Sequence, residues 1–371
     1  MKMSLTMTKM KKILSFVLCT LYIVPLYIVL TAQQLPDPHF EDWSRVYNGD
    51  AQLADWHGSN VTQVGLKFTF MYQKPGRAGS CLYVSDRTIG AIGITATGPG
   101  YASLGVPFQY MKGLTIKSAT AGTEGGINWT YRPDTMAVWV KRTGEHTAEE
   151  DFHLLYYSWT GTAKGSHYKN KVGGCTATER INEESDIRLL TNGNECTTVI
   201  PGKQVAEGWY RARAKYNEWT LVKVPVFYCS DNRPSMCNVI FSAGNYPAFR
   251  ANDGLYDGNA LWVDDVQLIY SSKIDKLLVN GEEFKGFDPN NAKVQTFKLS
   301  NSDVKTVQIE ALRGIGSLTN IKGETARFQG RRLDSNEMTV VPGELNGKPW
   351  TITVNAEDGS TAHTYKIKII R

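Results

Sequence analysis

The chain has 371 residues, 42% hydrophobic and 11% aromatic, with nine Trp and eighteen Tyr. That is long for a single sandwich and natural for two domains. The net charge is +5, but Lys2, Lys9, Lys11 and Lys12 stand in residues 1–32 with no acid, so the remainder carries +1 and gives no electrostatic argument for a nucleic-acid partner.

Residues 1–32 read as a signal peptide. Lys11-Lys12 form a charged n-region, Ile13–Leu30 is mostly apolar, and Leu30-Thr31-Ala32 before Gln33-Gln34 is a plausible cleavage site, with Met10 an alternative start. An uncleaved anchor is the competing reading, because the apolar run approaches spanning length; Pro25 and the small Ala32 favour cleavage. The expected location is therefore the periplasm, the outer-membrane surface or the medium. Beyond Cys19, five cysteines remain in a compartment that permits disulfides. Cys229 and Cys237 flank a turn-rich heptapeptide, Cys175 and Cys196 flank a polar loop, and Cys81 sits in an apolar strand as a buried free thiol. No C-x-x-C is present, so structural zinc is not expected.

Short β-type runs follow at Leu66–Tyr72, Cys81–Ser85, Leu114–Lys117, Thr135–Arg142, Phe152–Trp159, Trp219–Tyr228 and Asn238–Ser242, punctuated by Gly, Pro, Asn and Asp. No long amphipathic helix stands out, so the chain reads as all-β. Residues 161–201 are polar and Gly-rich, a surface insertion or a loop with a short hairpin. The stretch Gly258–Tyr270 reads as the strand that closes the first domain, pairing near Phe40–Trp43. It carries adjacent carboxylates, Asp264 and Asp265, which simple alternation sends to opposite faces, one of them toward the core. From residue 273 to 371 the runs Ile274–Val279, Val294–Leu299, Val304–Glu310, Glu337–Val341, Trp350–Asn355 and His363–Ile370 have the spacing of an immunoglobulin-like sandwich.

Two resemblances are carried by these residues. Phe40-Glu41-Asp42-Trp43, Gly105-Val106-Pro107-Phe108, Arg132-Pro133-Asp134 leading into Met136–Lys141, and Gly258–Tyr270 resemble the carbohydrate-metabolism domain (PCMD) family of Bacteroidota surface and secreted proteins. The resemblance implies a jelly-roll β-sandwich of the carbohydrate-binding-module kind over residues 35–271. It also implies a role in glycan handling, with outer-membrane glycan-uptake proteins as partners. Ile274–Gly281, Gly286-Phe287-Asp288-Pro289, Val354–Thr361 and Tyr365-Lys366-Ile367 resemble the cadherin-like sandwich family, which implies an accessory module over residues 273–371.

Flat aromatic rings stack on pyranose faces while nearby polar groups bond hydroxyls. If the valine faces of Thr135–Arg142 and Trp219–Phe227 are core, Trp139 and Trp219 lie on the opposite face, and Tyr157 and Trp159 share a face of Phe152–Trp159. These four are the carbohydrate-binding candidates, with packing under loops as the alternative. Trp43, Trp56 and Trp262 read as core. Glu41 or Asp42 with Asp264 or Asp265 stand where related jelly rolls hold a structural calcium; pairing with Arg or capping of loop N–H groups is the alternative. No other cofactor is indicated. Catalytic residues are not assigned: Glu149-Glu150-Asp151 and Glu183–Asp186 read as solvated charge runs, and no hydrolase motif is present. The expectation is an exported protein that binds or helps process glycans without catalysis. The alternatives are a glycoside hydrolase or lyase with an unrecognised carboxylate pair, and a structural or adhesive surface protein.

Overall fold

The computed structural model divides the chain into residues 1–32 and residues 33–371. It describes residues 33–371 apart from 48, 64–65, 92–93, 112–118, 162–170, 173–174, 177–187, 193–194, 200–203, 229–231, 245–253, 301–305, 308, 314–316, 323–342, 345–348 and 357. Residues 1–32, read above as a signal peptide, the run Leu114–Lys117, the Glu183–Asp186 acids and the run Glu337–Val341 therefore lie outside the described residues. Among the described residues no helix is long and apolar enough to cross a membrane.

The protein is all-β, and its described strands pair antiparallel except Val294–Lys298, which runs parallel to Ala362–Ile370. Two sheets face each other in the first part. One has five strands in the order Tyr216–Pro225, Thr135–Thr143, Ala260–Ile269, Ser80–Ser85, Met71–Pro75. The other runs Phe227–Tyr228, Gln204–Ala212, Phe152–Trp159, Met236–Ser242, Tyr101–Ser103, His57–Gly58, with Ile127–Asn128 also paired to Met236–Ser242. The chain crosses between sheets repeatedly, from Ser80–Ser85 to Tyr101–Ser103 to Thr135–Thr143 to Phe152–Trp159. That is jelly-roll connectivity.

Alternation explains the sandwich. Met136, Val138 and Val140, with Val222 and Val224, turn inward from the five-stranded sheet. They meet Phe152, Leu154, Tyr156, Val239 and Phe241 from the other sheet in one core. Trp56 anchors one end of this core. It is fully buried, its ring stacks 5.3 Å from Phe241 and lies tilted 5.3 Å from Phe40, and its indole N–H donates to Pro36 O at 3.0 Å. Trp56→Ala is expected to lower the unfolding free energy by about 3–5 kcal/mol, measured by denaturant melts. Cys237 lies on the same inward row as Val239 and Phe241 and is a buried free thiol. The disulfide with Cys229 that the sequence left open is therefore not formed: strand alternation aims Cys237 into the core. Cys81 is also free and buried, and burial first, then the Asp264 charge, push its thiol up to about 12. Neither thiol is reactive at neutral pH. The side chains of Cys175 and Cys196 lie outside the described residues.

The strand Gln204–Ala212, which the sequence reading did not mark, covers one side of Phe152–Trp159. Its pattern is broken by Gly208, where a Cβ would press on Pro225 O at 2.9 Å. Arg188–Asn192 and Glu195–Val199 pair as a hairpin inside the polar stretch 161–201, and join a four-stranded sheet with Ala119–Glu124 and Val106–Met111. Beyond residue 272 a second core forms around Ile274, Leu277, Phe297, Trp350, Ile352, Tyr365 and Ile367. It lies between a three-stranded sheet and a four-stranded sheet. No strand of these sheets pairs with the first part among the described residues.

Candidate functional site

The strand Ala260–Ile269 does not alternate throughout. Leu261 and Val263 are core, and so are Val266, Leu268 and Tyr270; the apolar parity changes from odd to even between them. A β-bulge makes the change. Trp139 faces Asp264 and Ala137 faces Gln267, so Val138 is opposed by two residues, and Asp265 takes a left-handed φ of 48°. The expectation that one of the two aspartates faces the core is therefore corrected: the bulge keeps both out of it.

Both carboxylates serve the hairpin loop at residues 76–79. Asp264 is buried and accepts the Arg77 N–H at 2.6 Å and the Asp265 N–H at 2.8 Å. Asp265 pairs with the Arg77 guanidinium and with His39 Nδ1 at 2.6 Å. Glu41 accepts the Ser80 N–H at 3.0 and 3.1 Å. Gly79, at φ 67°, lies directly against Glu41 and has no room for a Cβ. The three residues of the expected calcium set thus gather on one turn, but Arg77 stands among them. Among the described residues no three His, Cys, Asp or Glu side chains are grouped to hold a metal ion. A cation there would have to displace the guanidinium, so this geometry does not fit calcium. Thermal melts in millimolar calcium and in chelator are expected to coincide; a higher melting temperature with calcium would show that the loop rearranges around a cation.

Past Val263 the strand loses its Ser80–Ser85 neighbour. The edge is covered by residues 33–38 and not, as expected, by Phe40–Trp43. Val266 N donates to Pro38 O at 2.9 Å, Gln34 exchanges two bonds with the Leu268 backbone, and Tyr270 Oη donates to Gln33 O at 2.8 Å.

The outward face of the five-stranded sheet carries a row of rings. Tyr72 opposes Tyr83, Tyr83 opposes Trp262, and Trp262 opposes Lys141 in register. The ring centroids lie 5.8 Å apart for Tyr72 and Tyr83 and 4.8 Å apart for Tyr83 and Trp262. The Lys141 ammonium lies 4.8 Å from the Trp262 ring and 5.6 Å from the Trp219 ring. At the strand spacing of a sheet the row spans roughly 19 Å. Trp262, read from the sequence as core, is corrected to this outer face: it sits between the inward Leu261 and Val263 and is half-buried. Beside the row, Trp139 is also half-buried, with one ring face covered by the Arg77 guanidinium at 3.9 Å. Leu221, opposite Trp139, is exposed.

Tyr157 and Trp159 are elsewhere. They lie on the outward face of the other sheet, 3% and 0% exposed, stacked at 5.4 Å within a closed cluster with Tyr101, Leu155, Met236 and Ile240. The strand that carries them is buried on both sides. This corrects their placement on a stacking surface, because a buried ring offers no face to a polymer. The Tyr157 hydroxyl instead accepts from Asn238 Nδ2 at 2.7 Å, in a network with Ser103 and Thr123.

One cluster the sequence reading missed is ionic and sealed. Asp86, Glu150, Arg142 and Asn259 are each at most 1% exposed. Glu150 Oε2 accepts from Arg142 Nη2 at 3.3 Å and from Asn259 Nδ2. Asp86 Oδ1 accepts the Gly100 N–H at 2.8 Å. The other two oxygens, Asp86 Oδ2 and Glu150 Oε1, converge over Gly244, where a Cβ would strike both, and no N–H donor reaches either. A single proton shared between the carboxyls satisfies them. Burial first, and then the Glu150 charge, raise the Asp86 carboxyl well above its ordinary range. Burial also raises Glu150, against the pull of Asp86, Asn259 and Arg142. Glu150 is thus corrected from a solvated loop charge to a core residue. Arg142 carried a signal: it continues the inward parity of Met136, Val138 and Val140.

A pH dependence follows from the raised Asp86 carboxyl. The folded state holds a proton that the unfolded chain releases earlier, so this contribution is complete below the unfolded carboxylate pKa. It is lost as pH rises through the folded value. Asp86→Asn supplies an N–H to Glu150 and keeps an acceptor for Gly100. The variant is expected to match the parent in acid and to gain on it in melting temperature as pH rises; parallel curves would contradict the shared proton.

No family model matches the chain, and no curated protein matches it. The resemblances drawn above therefore stand on their quoted residues alone. Among solved structures, "a putative glycoside hydrolase" from Bacteroides thetaiotaomicron is similar at 15% identity and a TM-score of 0.40, covering 63% of this chain and 70% of its own. A second structure of the same description, from Bacteroides vulgatus, is similar at 15% identity and a TM-score of 0.33, covering 54% of this chain and 77% of its own. Likeness at this level carries no argument about activity, and the functional reading rests on the surface itself.

Proposed function

We propose that the protein binds glycan chains, without cleaving them, on the outer face of its five-stranded sheet. The row Tyr72, Tyr83, Trp262, Lys141, Trp219 carries this reading. Rings spaced across a flat sheet suit an extended polymer, whose sugar faces stack on them while side-chain ends bond hydroxyls. Trp219 and Trp262 are the main stacking rings, and Trp139 with Arg77 borders them. The two carboxylate pairs among the described site residues support binding over cleavage. Asp86 and Glu150 are sealed and share one proton, and Asp264 and Asp265 are chain neighbours committed to Arg77, His39 and backbone. Glycosidases need two carboxyls separated by about 5–10 Å across an accessible cleft.

Affinity electrophoresis against a panel of polysaccharides tests the reading, with a reducing-sugar assay on the same samples. Retardation by at least one polysaccharide, with no release of reducing ends, is expected. Cleavage that survives Trp219→Ala and Trp262→Ala would move the protein into the hydrolase class.

A further inference from the structure

The ring row holds its cation in an unusual way. Lys141 lies between two indole rings, and among the described residues no carboxylate pairs with it. Lys74, over the Tyr83 ring at 5.7 Å, and Lys223, opposite Ala137 on the same face, likewise have no carboxylate partner among the described residues. The carboxylates of this face are already engaged: Asp265 by Arg77 and His39, Asp264 by two backbone N–H groups, Glu41 by Ser80. The face therefore presents three uncompensated ammonium groups, two of them against rings. A neutral glycan has nothing to match them, whereas an anion beside a pyranose ring meets an ammonium as the ring meets an indole.

We infer that the outer face is selective for acidic glycans, with Lys141 as the anchor for a sugar carboxylate or sulfate held between Trp219 and Trp262. This rests on the glycan-binding reading and adds the class of ligand. The two anions share one chemistry, a resonance-stabilised oxyanion that accepts from the ammonium, and both are probed.

The experiment compares matched polymers: polygalacturonate with its methyl ester, and dextran sulfate with dextran. Parent, Lys141→Met and Lys366→Met are run by affinity electrophoresis and by calorimetry, after melts show that all three fold alike. Lys366 is exposed on the second sandwich and controls for net charge. The expected result is about tenfold tighter binding of the parent to the charged member of at least one pair. That preference falls with added salt, is lost in Lys141→Met, and is kept in Lys366→Met. Preference within the galacturonate pair identifies a carboxylate, and preference within the dextran pair a sulfate. Equal binding to charged and neutral members, or a preference that survives Lys141→Met, would overturn the inference while leaving glycan binding intact. Retardation by single-stranded DNA but by no polysaccharide, or binding to none of these, would overturn both.

Discussion

Arg142→Leu is expected to destabilise the protein by about 3–5 kcal/mol, the cost of leaving a buried charge without its partner. Among the described residues the guanidinium is the one cation against Glu150 in a buried cluster, and Asn259 would remain as the donor to the carboxylate. The melting temperature should fall on the order of 5–10 °C. Combining Arg142→Leu with Glu150→Gln should recover much of the loss, because the uncompensated charge is then gone; Asn259 accepts or donates equally well to an amide. Gly244→Ala should be similarly damaging, since its methyl would enter the contact of Asp86 with Glu150 and press on Leu255. A melt of Arg142→Leu within about 1 kcal/mol of the parent would mean that the cluster is hydrated and its charges are not buried.

The second large effect is on binding. Trp219→Ala and Trp262→Ala are each expected to weaken glycan binding about tenfold, or about 1.4 kcal/mol. Lys141 touches both rings, so the two losses are coupled and the double variant should fall short of a hundredfold. Neither ring belongs to the main core, so stability should change little. Trp139→Ala should act more weakly on binding, because Arg77 already covers one of its faces. Loss of binding in Trp139→Ala alone would relocate the site to the hairpin at residues 76–79.

Much of the architecture was legible because alternation is a strong signal on strands with one buried face. Thr135–Thr143 announced its valine face, and the placement of Trp139 and Trp219 opposite it followed. The errors have physical causes. In Ala260–Ile269 the odd apolar residues Leu261 and Val263 give way to the even Val266, Leu268 and Tyr270. That parity change is the mark of a bulge, and missing it put one aspartate toward the core; Trp262 was read as core from its place in a terminal strand and not from its parity beside Leu261 and Val263. Phe152–Trp159 is buried on both faces, so its pattern could not tell which rings meet solvent. Cys237 was read by its distance in sequence from Cys229 and not by the face it takes on its strand. Glu150 gave no local signal at all. Its burial depends on Arg142, Asp86 and Asn259, which come together only through the sandwich.

The most direct test is a crystal structure of the protein soaked with a bound oligosaccharide. The account predicts a sugar ring within about 4 Å of the Trp219 or Trp262 indole, lying along the row toward Tyr83 and Tyr72. Density for the sugar on the opposite sheet, in the loops, or on residues 273–371, with the row empty, would contradict it.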